Sequence, residues 1–333
     1  MTPSGQLRIV IPGGTGHIGN ILARHFHERG HRVTVLARHP KPVEWNTVLW
    51  NASDLGSWTE AIDGADAVIN LAGRSVNCRY NPANRREIKN SRTITTGLVG
   101  QAIAHAANPP PLWLNASTAT IYRHALDRPM DEATGEIGGT EPSVPEKWSF
   151  SVDVATSWER ALFAADTPKT RRVAMRCAMV MSPDSGGAFD AFLHLTRLGF
   201  GGTAGSGQQY VSWIHEVDFV RAIDFLVAEE QLRGVVNVSS PHPICNRDFM
   251  RCLRHAWCTR WVAISASQWM LQIGAALLRT ETELVLKSRR VIPGRLLATG
   301  FEFHFPNWRA AAQDLIHRWR ELRGDLSRRE CEA

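Results

Sequence analysis

Three observations predict an α/β fold built on a doubly wound, mostly parallel sheet with a smaller C-terminal lobe. The first is the run Arg8-Ile9-Val10-Ile11-Pro12-Gly13-Gly14-Thr15-Gly16-His17-Ile18-Gly19, where a short apolar stretch gives way to glycines and then to apolar residues at helical spacing. The second is another apolar run, over 32–36, at the distance a β-α-β unit requires. The third is continued alternation, with apolar runs over 47–50, 67–71, 112–116, 173–176 and 235–238 separated by helical patterns.

The glycine run carries the first functional expectation. In a strand, glycine loop and helix start of this Rossmann type, Gly13 takes the tight turn and Gly16 lets the backbone approach a pyrophosphate. Gly19 lets the helix pack closely on the strand. The helix aims free amides and its positive dipole end at the phosphates. At the end of the second strand, Val35-Leu36-Ala37-Arg38-His39 holds no acid for the adenosine ribose, and Arg38 suits a 2′-phosphate. NADP(H) is therefore the expected cofactor, NAD(H) the less favoured one. No metal is expected, because the cysteines and histidines lack ligand spacing.

The chain of 333 residues is 44% hydrophobic and 21% charged, a globular balance. Its net charge of +6 is spread among acids rather than gathered into a block, which excludes a nucleic-acid footprint. Arg289-Arg290 and the arginines after Trp308 are expected on solvated helix faces. The six cysteines form no C-x-x-C pair and are expected to be reduced. The first residues, Met-Thr-Pro-Ser-Gly-Gln, lack the charged and apolar parts of a secretory signal, so a cytoplasmic protein is expected. The apolar window 262–278 contains Ser265, Ser267, Gln268 and Gln272 and suits a packed or amphipathic helix better than a membrane span. A monomer or homodimer without membrane association is expected.

In chain order, a turn is expected at 51–54, a helix over 55–62, and a strand over 67–73, running into a glycine turn, whose Asn70 to Gly73 faces the dinucleotide crevice. An amphipathic helix over 82–107 ends at Asn108 and three prolines. The next strand delivers Ser117-Thr118-Ala119-Thr120-Ile121-Tyr122 to the same sheet edge, where hydroxyls can polarise a carbonyl or alcohol. Residues 127–147 suit a surface loop over the site, followed by a helix over 150–165. From Cys177 glycine-rich loops surround a helix over 188–197, and further helices fall over 218–228, 246–255, 266–278 and 308–322. These suggest a Rossmann domain over 1–176, with a strand and helix returning at about 216–240. A substrate-binding lobe follows over 177–215 and 241–325, then a tail over 326–333.

The glycine loop, Asn70-Leu71-Ala72-Gly73 and the 117–122 stretch together resemble the extended short-chain dehydrogenase/reductase superfamily. Ile88-Lys89-Asn90-Ser91-Arg92, Trp158-Glu159, Arg197-Leu198-Gly199 with Gly205-Ser206-Gly207-Gln208, Ser212-Trp213-Ile214-His215 with Asp218, and Arg290-Val291-Ile292-Pro293 with Gly300-Phe301 resemble its atypical branch of epimerase family proteins. The resemblance covers nearly the whole chain. It implies that Gly13, Thr15, Gly16, His17, Ile18 and Gly19 line the dinucleotide phosphates and Arg38 the 2′-phosphate. It further implies Asp54 and Leu55 at the adenine, and Leu71, Ala72 and Gly73 on the ribose side.

The superfamily's proton relay, a Tyr with a Lys four residues later, is missing. Four residues after Tyr80, Tyr122 and Tyr210 stand Asn84, Leu126 and Ile214, and alignment on Glu159 puts Ser151 and Ala155 at the relay positions. The arginine that grips a substrate diphosphate in sugar-nucleotide enzymes is replaced by Val211. His17 and Arg123 replace the branch's usual Phe and Gly. One reading is an NADP(H)-dependent oxidoreductase or epimerase-like enzyme acting on a small molecule, a sugar or another carbonyl or hydroxyl compound. There Ser117 or Thr118 polarises the substrate oxygen, and Tyr122, His215 or Lys89 supplies the proton. The alternatives are a non-catalytic NADPH-binding regulator or scaffold, and a carrier of a small apolar ligand near Trp213.

Overall fold

The computed structural model describes residues 5–142, 144–258 and 283–324. Ile9, Val10 and Ile11 are consecutive, apolar and buried on both faces, as a central parallel strand requires. They form β1 (Arg8–Pro12), and the glycine loop then leads into α1 (His17–Glu28). The sheet continues with β2 (Arg32–Ala37), β3 (Asn46–Leu49), β4 (Ala67–Asn70), β5 (Leu112–Thr118), β6 (Arg171–Cys177) and β10 (Gly234–Val238).

The order across the sheet is β10-β6-β5-β4-β1-β2-β3, and each of its ladders is parallel. The chain winds outward in both directions from β1, so a crevice opens at the carboxyl ends of β1 and β4, where doubly wound sheets bind ligands.

Side-chain alternation sorts the core into two layers. On one face Ile9, Ile11, Val33 and Val35 pack against Ile21, Leu22 and Phe26 of α1. Phe219 and Ile223 of α5 (Glu216–Ala228) join them. On the other, Val10, Leu36, Val68 and Trp113 meet Leu98, Val99 and Ile103 of α2 (Pro82–His105) and Leu162 of α3 (Glu146–Phe163). Asn81 caps α2 by accepting from the Asn84 amide, and Pro82 fills the first helical position, where its missing N–H costs nothing.

A third apolar cluster lies outside the sheet. It joins α4 (Ala188–Arg197), β7 (Met179–Met181), β8 (Tyr210–Val211), β9 (Trp213–His215) and α6 (Asn246–Trp257) to the final helix, α9 (Trp308–Leu322). Trp308 stacks on Phe249 at 4.1 Å and meets Trp213 edge-on at 5.0 Å. Short β11 (Ile244–Cys245) pairs with β8; α7 (Glu283–Leu286) and α8 (Gly294–Ala298) precede α9.

Several expectations need correction. The helix expected over 55–62 is a 3-10 turn at Ser57–Ala61, because Gly56 and the short apolar pattern supply no full helical face. Arg289 and Arg320 are buried rather than solvated, Arg320 lying over the Trp257 ring at 4.8 Å. Cys258 is disulfide-bonded, a pairing that spacing along the chain does not reveal, whereas Cys78, Cys177, Cys245 and Cys252 are free. The loop after Asp127 packs on the C-terminal segment, with Met130 bridging to Val291. The helix expected over 266–278 lies outside the described residues. Among those residues no helix is long and apolar enough to cross a membrane.

Polar contacts tie α9 to α5 of the sheet domain, among them Arg318 with Glu216. Asp314 on α9 meets Nε2 of the fully buried His215 at 3.0 Å, while Nδ1 of that ring accepts from the Val217 amide at the start of α5. Burial opposes ionisation of Asp314, but the His215 bond and Arg318 outweigh it and hold its carboxyl below the ordinary 3.8. A depressed carboxyl stabilises the fold above its ordinary value, and the contribution disappears as the pH falls through the folded value. Asp314→Ala should therefore cost about 2 kcal/mol at pH 7 in denaturant unfolding. The gap from the parent should shrink at pH 3, and an equal gap at both values would contradict this.

Candidate active site

The glycine loop is shaped by backbone contact. Gly13 has φ +75°, and a Cβ there would stand 2.6 Å from the Ala72 Cα; a Cβ on Gly19 would stand 2.4 Å from the Gly14 Cα. Protein atoms thus explain both glycines. Gly16 differs: a Cβ would meet only the Gly13 carbonyl oxygen, at 3.9 Å, and the backbone is ordinary at φ −77°. The space beside Gly16 faces the start of α1, which has no side-chain cap and no acid in its first turn. That is the donor set of a phosphate cradle, so a dinucleotide fits these residues.

Around the cradle, Arg38 is exposed and makes no hydrogen bond or ion pair among the described residues. Asp54 accepts from Asn51 Nδ2 at 2.8 Å, and its carbonyl accepts from Trp58 Nε1, which fixes the turn carrying Leu55. Leu71 donates its amide to the Pro12 carbonyl, and the Ala72 amide donates to Asn70 Oδ1, so 70–73 sits against the end of β1. His17 packs against Gly187, where a Cβ would stand 2.5 Å from its Nε2. Thr15 and Ile18 flank the same loop.

Beside this crevice, at the carboxyl end of β5, lies a cavity of about 270 Å³. Its polar lining comes from Ser117, Thr118, Thr120, Ser151, Arg92, Glu283 and Arg289; Tyr80, Phe150 and Trp158 supply aromatic walls. A larger cavity, about 450 Å³, opens around Arg8, Arg32 and Glu60 at the opposite edge of the sheet. The smaller one lies where strand carboxyl ends gather chemistry.

Of the five side chains expected to act, two meet at this cavity. Ser117 is buried and donates to Glu159 Oε1 at 2.6 Å; Glu159 in turn receives both arms of Arg176 at 2.8 Å. The proton of Ser117 is thereby committed. Thr118 Oγ1 accepts from the Thr120 amide at 3.2 Å, which leaves its own proton for a ligand.

The other three stand elsewhere. Tyr122 is buried, donates to Asn237 Oδ1 at 2.9 Å and lies under the Arg176 guanidinium at 4.9 Å, with burial raising its hydroxyl above the ordinary value. His215 is enclosed between Asp314 and Phe305, whose ring stacks on it at 4.0 Å. Lys89 is half-exposed and paired with Asp153 at 2.7 Å. None of the three lines the cavity.

Other residues, to which the sequence analysis gave no chemical role, gather at the cavity instead. Ser151 donates to Glu283 Oε2 at 2.5 Å, and Glu283 stands 3.9 Å from Lys287 Nζ. Lys287 donates to the Thr120 carbonyl at 2.8 Å, and burial lowers its ammonium to about 8. Arg289 donates to Thr120 Oγ1 at 3.0 Å. The segment after residue 282 therefore closes the cavity floor. The signal available for Ser151 was its alignment with the missing tyrosine; Glu283 and Lys287 carried none. Cys177 also lines the cavity, but burial pushes its thiol up to about 12 and leaves it inert at neutral pH.

Comparison with known proteins agrees with this fold. The model of the NAD dependent epimerase/dehydratase family matches residues 9–239, and a domain of unknown function, DUF1731, matches 266–315. The human epimerase family protein SDR39U1 is 32% identical over 318 residues, covering 93% of this chain and 100% of that one. An epimerase family protein of Staphylococcus saprophyticus is 32% identical over 317 residues, covering 92% and 99%. The crystal structure of human SDR39U1, isoform 2, with NADPH aligns with a TM-score of 0.79 at 31% identity, covering 93% of this chain and 99% of that one. The UDP-N-acetylglucosamine 4-epimerase of Bacillus cereus, at 15% identity and a TM-score of 0.72 with 95% and 97% covered, shares the fold. With a family model over the whole sheet domain and relatives aligned end to end, the chain belongs to the NAD dependent epimerase/dehydratase family, in its SDR39U1-like branch with a DUF1731 segment.

Proposed function

We propose that the protein is an NADP(H)-dependent oxidoreductase or epimerase-like enzyme acting on a small carbonyl or hydroxyl compound. The observation that carries this reading is Thr118, a hydroxyl with an uncommitted proton at the carboxyl end of β5, lining a cavity at the same end of the sheet as the glycine loop. NADPH in the human relative's crystal structure supports the cofactor. Gly13, Thr15, Gly16, His17, Ile18 and Gly19 would hold its phosphates, Arg38 the 2′-phosphate, Asp54 and Leu55 the adenine, and Leu71, Ala72 and Gly73 the ribose. When bound, it supplies or accepts a hydride.

In this mechanism Thr118 donates a hydrogen bond to the substrate oxygen and stabilises charge that develops there. Ser117 is held by Glu159 and keeps the strand end in place. In the oxidising direction the substrate hydroxyl passes its proton to Ser151 Oγ as Ser151 passes its own to the Glu283 carboxylate, which stands near the Lys287 ammonium; in the reducing direction the protonated Glu283 returns it by the same path. Tyr122, His215 and Lys89 take no part in proton transfer, since their polar atoms are committed to Asn237, Asp314 and Asp153. The lack of a Tyr-Lys pair favours a second reading, a non-catalytic NADPH-binding regulator.

Fluorescence titration with NADPH and NADH tests the cofactor assignment. The protein should prefer NADPH, and Arg38→Ala should lose that preference, by about tenfold or more. Gly16→Ala should melt like the parent yet bind NADPH far more weakly. Unchanged binding by both variants would refute the assignment. For the chemistry, Thr118→Val should slow NADPH oxidation with a turned-over carbonyl compound by roughly a hundredfold, with NADPH affinity retained. An unchanged rate would remove Thr118 from the mechanism.

A further inference from the structure

Thr120 stands in the cavity wall two residues beyond Thr118, on the 3-10 turn Ala119–Ile121 that follows β5. Protein atoms fix it on three sides. Its amide donates to Thr118 Oγ1 at 3.2 Å, and its carbonyl accepts from Lys287 Nζ at 2.8 Å. Its hydroxyl oxygen accepts from Arg289 Nε at 3.0 Å and donates to no acceptor among the described residues. A hydroxyl has one proton and two lone pairs, so this proton remains available to a ligand. Since Thr118 Oγ1 already touches the Thr120 amide, the two hydroxyls are near neighbours on one short turn.

Arg289 makes these two hydroxyls unlike. Its side chain is buried, with 7% of the residue exposed, and it lines the same cavity. A hydrogen bond from a cation draws electron density from the oxygen that accepts it, so the O–H of that oxygen becomes a stronger donor. Thr118 has only a neutral amide behind it. The remaining wall is largely apolar, with Ile88, Phe150, Val154 and Trp158, and an added donor there counts for more than in water.

We propose that Thr120 is a second donor to the reacting oxygen of the substrate, acting beside Thr118, and that Arg289 is the positioning residue that aims and strengthens it. This rests on the cavity's being the substrate site, and it states what that site is built to hold: an oxygen that gains negative charge during the reaction. An alkoxide oxygen has three lone pairs, which suits Thr118, Thr120 and the proton path through Ser151.

The probe is 4-nitrophenolate, an oxyanion small enough for a cavity of about 270 Å³, with nitrobenzene as the counterpart that lacks the oxygen. The full chain is titrated with each, with and without NADP⁺, and the absorption of the phenolate reports how much bound probe is ionised. The parent should favour 4-nitrophenolate over nitrobenzene by about a hundredfold and lower the pKa of the bound phenol. Thr120→Val should cost about tenfold of that preference and raise the bound phenol's pKa, whereas Thr120→Ser should cost little. In an Arg289→Gln background the Thr120→Val effect should shrink to about threefold or less, and Arg289→Lys should keep part of it. Melting curves check each fold, and Thr120→Val, which leaves Arg289 in place, decides the matter even where an Arg289 variant melts early. Unchanged phenolate affinity in Thr120→Val, an equal effect of that change with Arg289 replaced, or no saturable phenolate binding would each overturn the proposal. Loss of preference in Thr118→Val but not in Thr120→Val would sink this assignment and leave the reading of the cavity standing. Equal binding of the two probes by the parent and both valine variants would sink both.

Discussion

The buried ion pair between Glu159 and Arg176 organises the carboxyl end of the sheet. Arg176 on β6 lies opposite Ser117 on β5 in the ladder, and Glu159 reaches both from α3. Removing one partner would leave the other charged and buried, at a cost of about 3–5 kcal/mol. The same guanidinium lies over Tyr122, whose hydroxyl reaches Asn237 on β10. One polar network thus fixes α3, β5, β6 and β10 relative to each other. Because it consumes Ser117 and Tyr122, the hydroxyls of this stretch still able to serve a ligand are those of Thr118, on the strand end, and Thr120, beside it.

A second constraint sets the other wall of the crevice. Gly13 against Ala72 and Gly19 against Gly14 are contacts between backbones, which no side chain could replace without moving a strand or a helix. They bring β1, α1 and the end of β4 to one point and leave the space beside Gly16 open. The cavity's remaining side comes from Glu283 and Arg289, far along the chain, so the site is complete only when the C-terminal segment docks. His215 and Asp314 belong to that docking: the ring caps α5 while holding α9.

The sheet was legible in the sequence because a strand buried on both faces leaves an unbroken apolar run, as at 9–11 and 67–69, and because glycines interrupt the period where the chain turns. Ser117 and Thr118 were legible as hydroxyls at a strand end. Arg92 and Arg289 were not: Arg289 stands beside Arg290 in what looks like a solvated basic pair, and nothing local marks one of them as buried. His215 looked suited to proton transfer because its residue type titrates near neutrality, but its partner Asp314 lies 99 positions away. Ser151 shows the general difficulty. Its role depends on Glu283, 132 positions distant, and a relation of that range has no signature in spacing.

The central claim is that a dinucleotide over the Gly16 loop brings its reacting end to the cavity that Thr118 and Arg92 share. A crystal structure of the protein grown with NADPH tests it most directly. The account predicts the pyrophosphate over Gly16 at the start of α1, with the nicotinamide beside Gly73 and facing Thr118. Density at the opposite edge of the sheet near Arg8 and Arg32, or a nicotinamide turned away from Thr118, would contradict it.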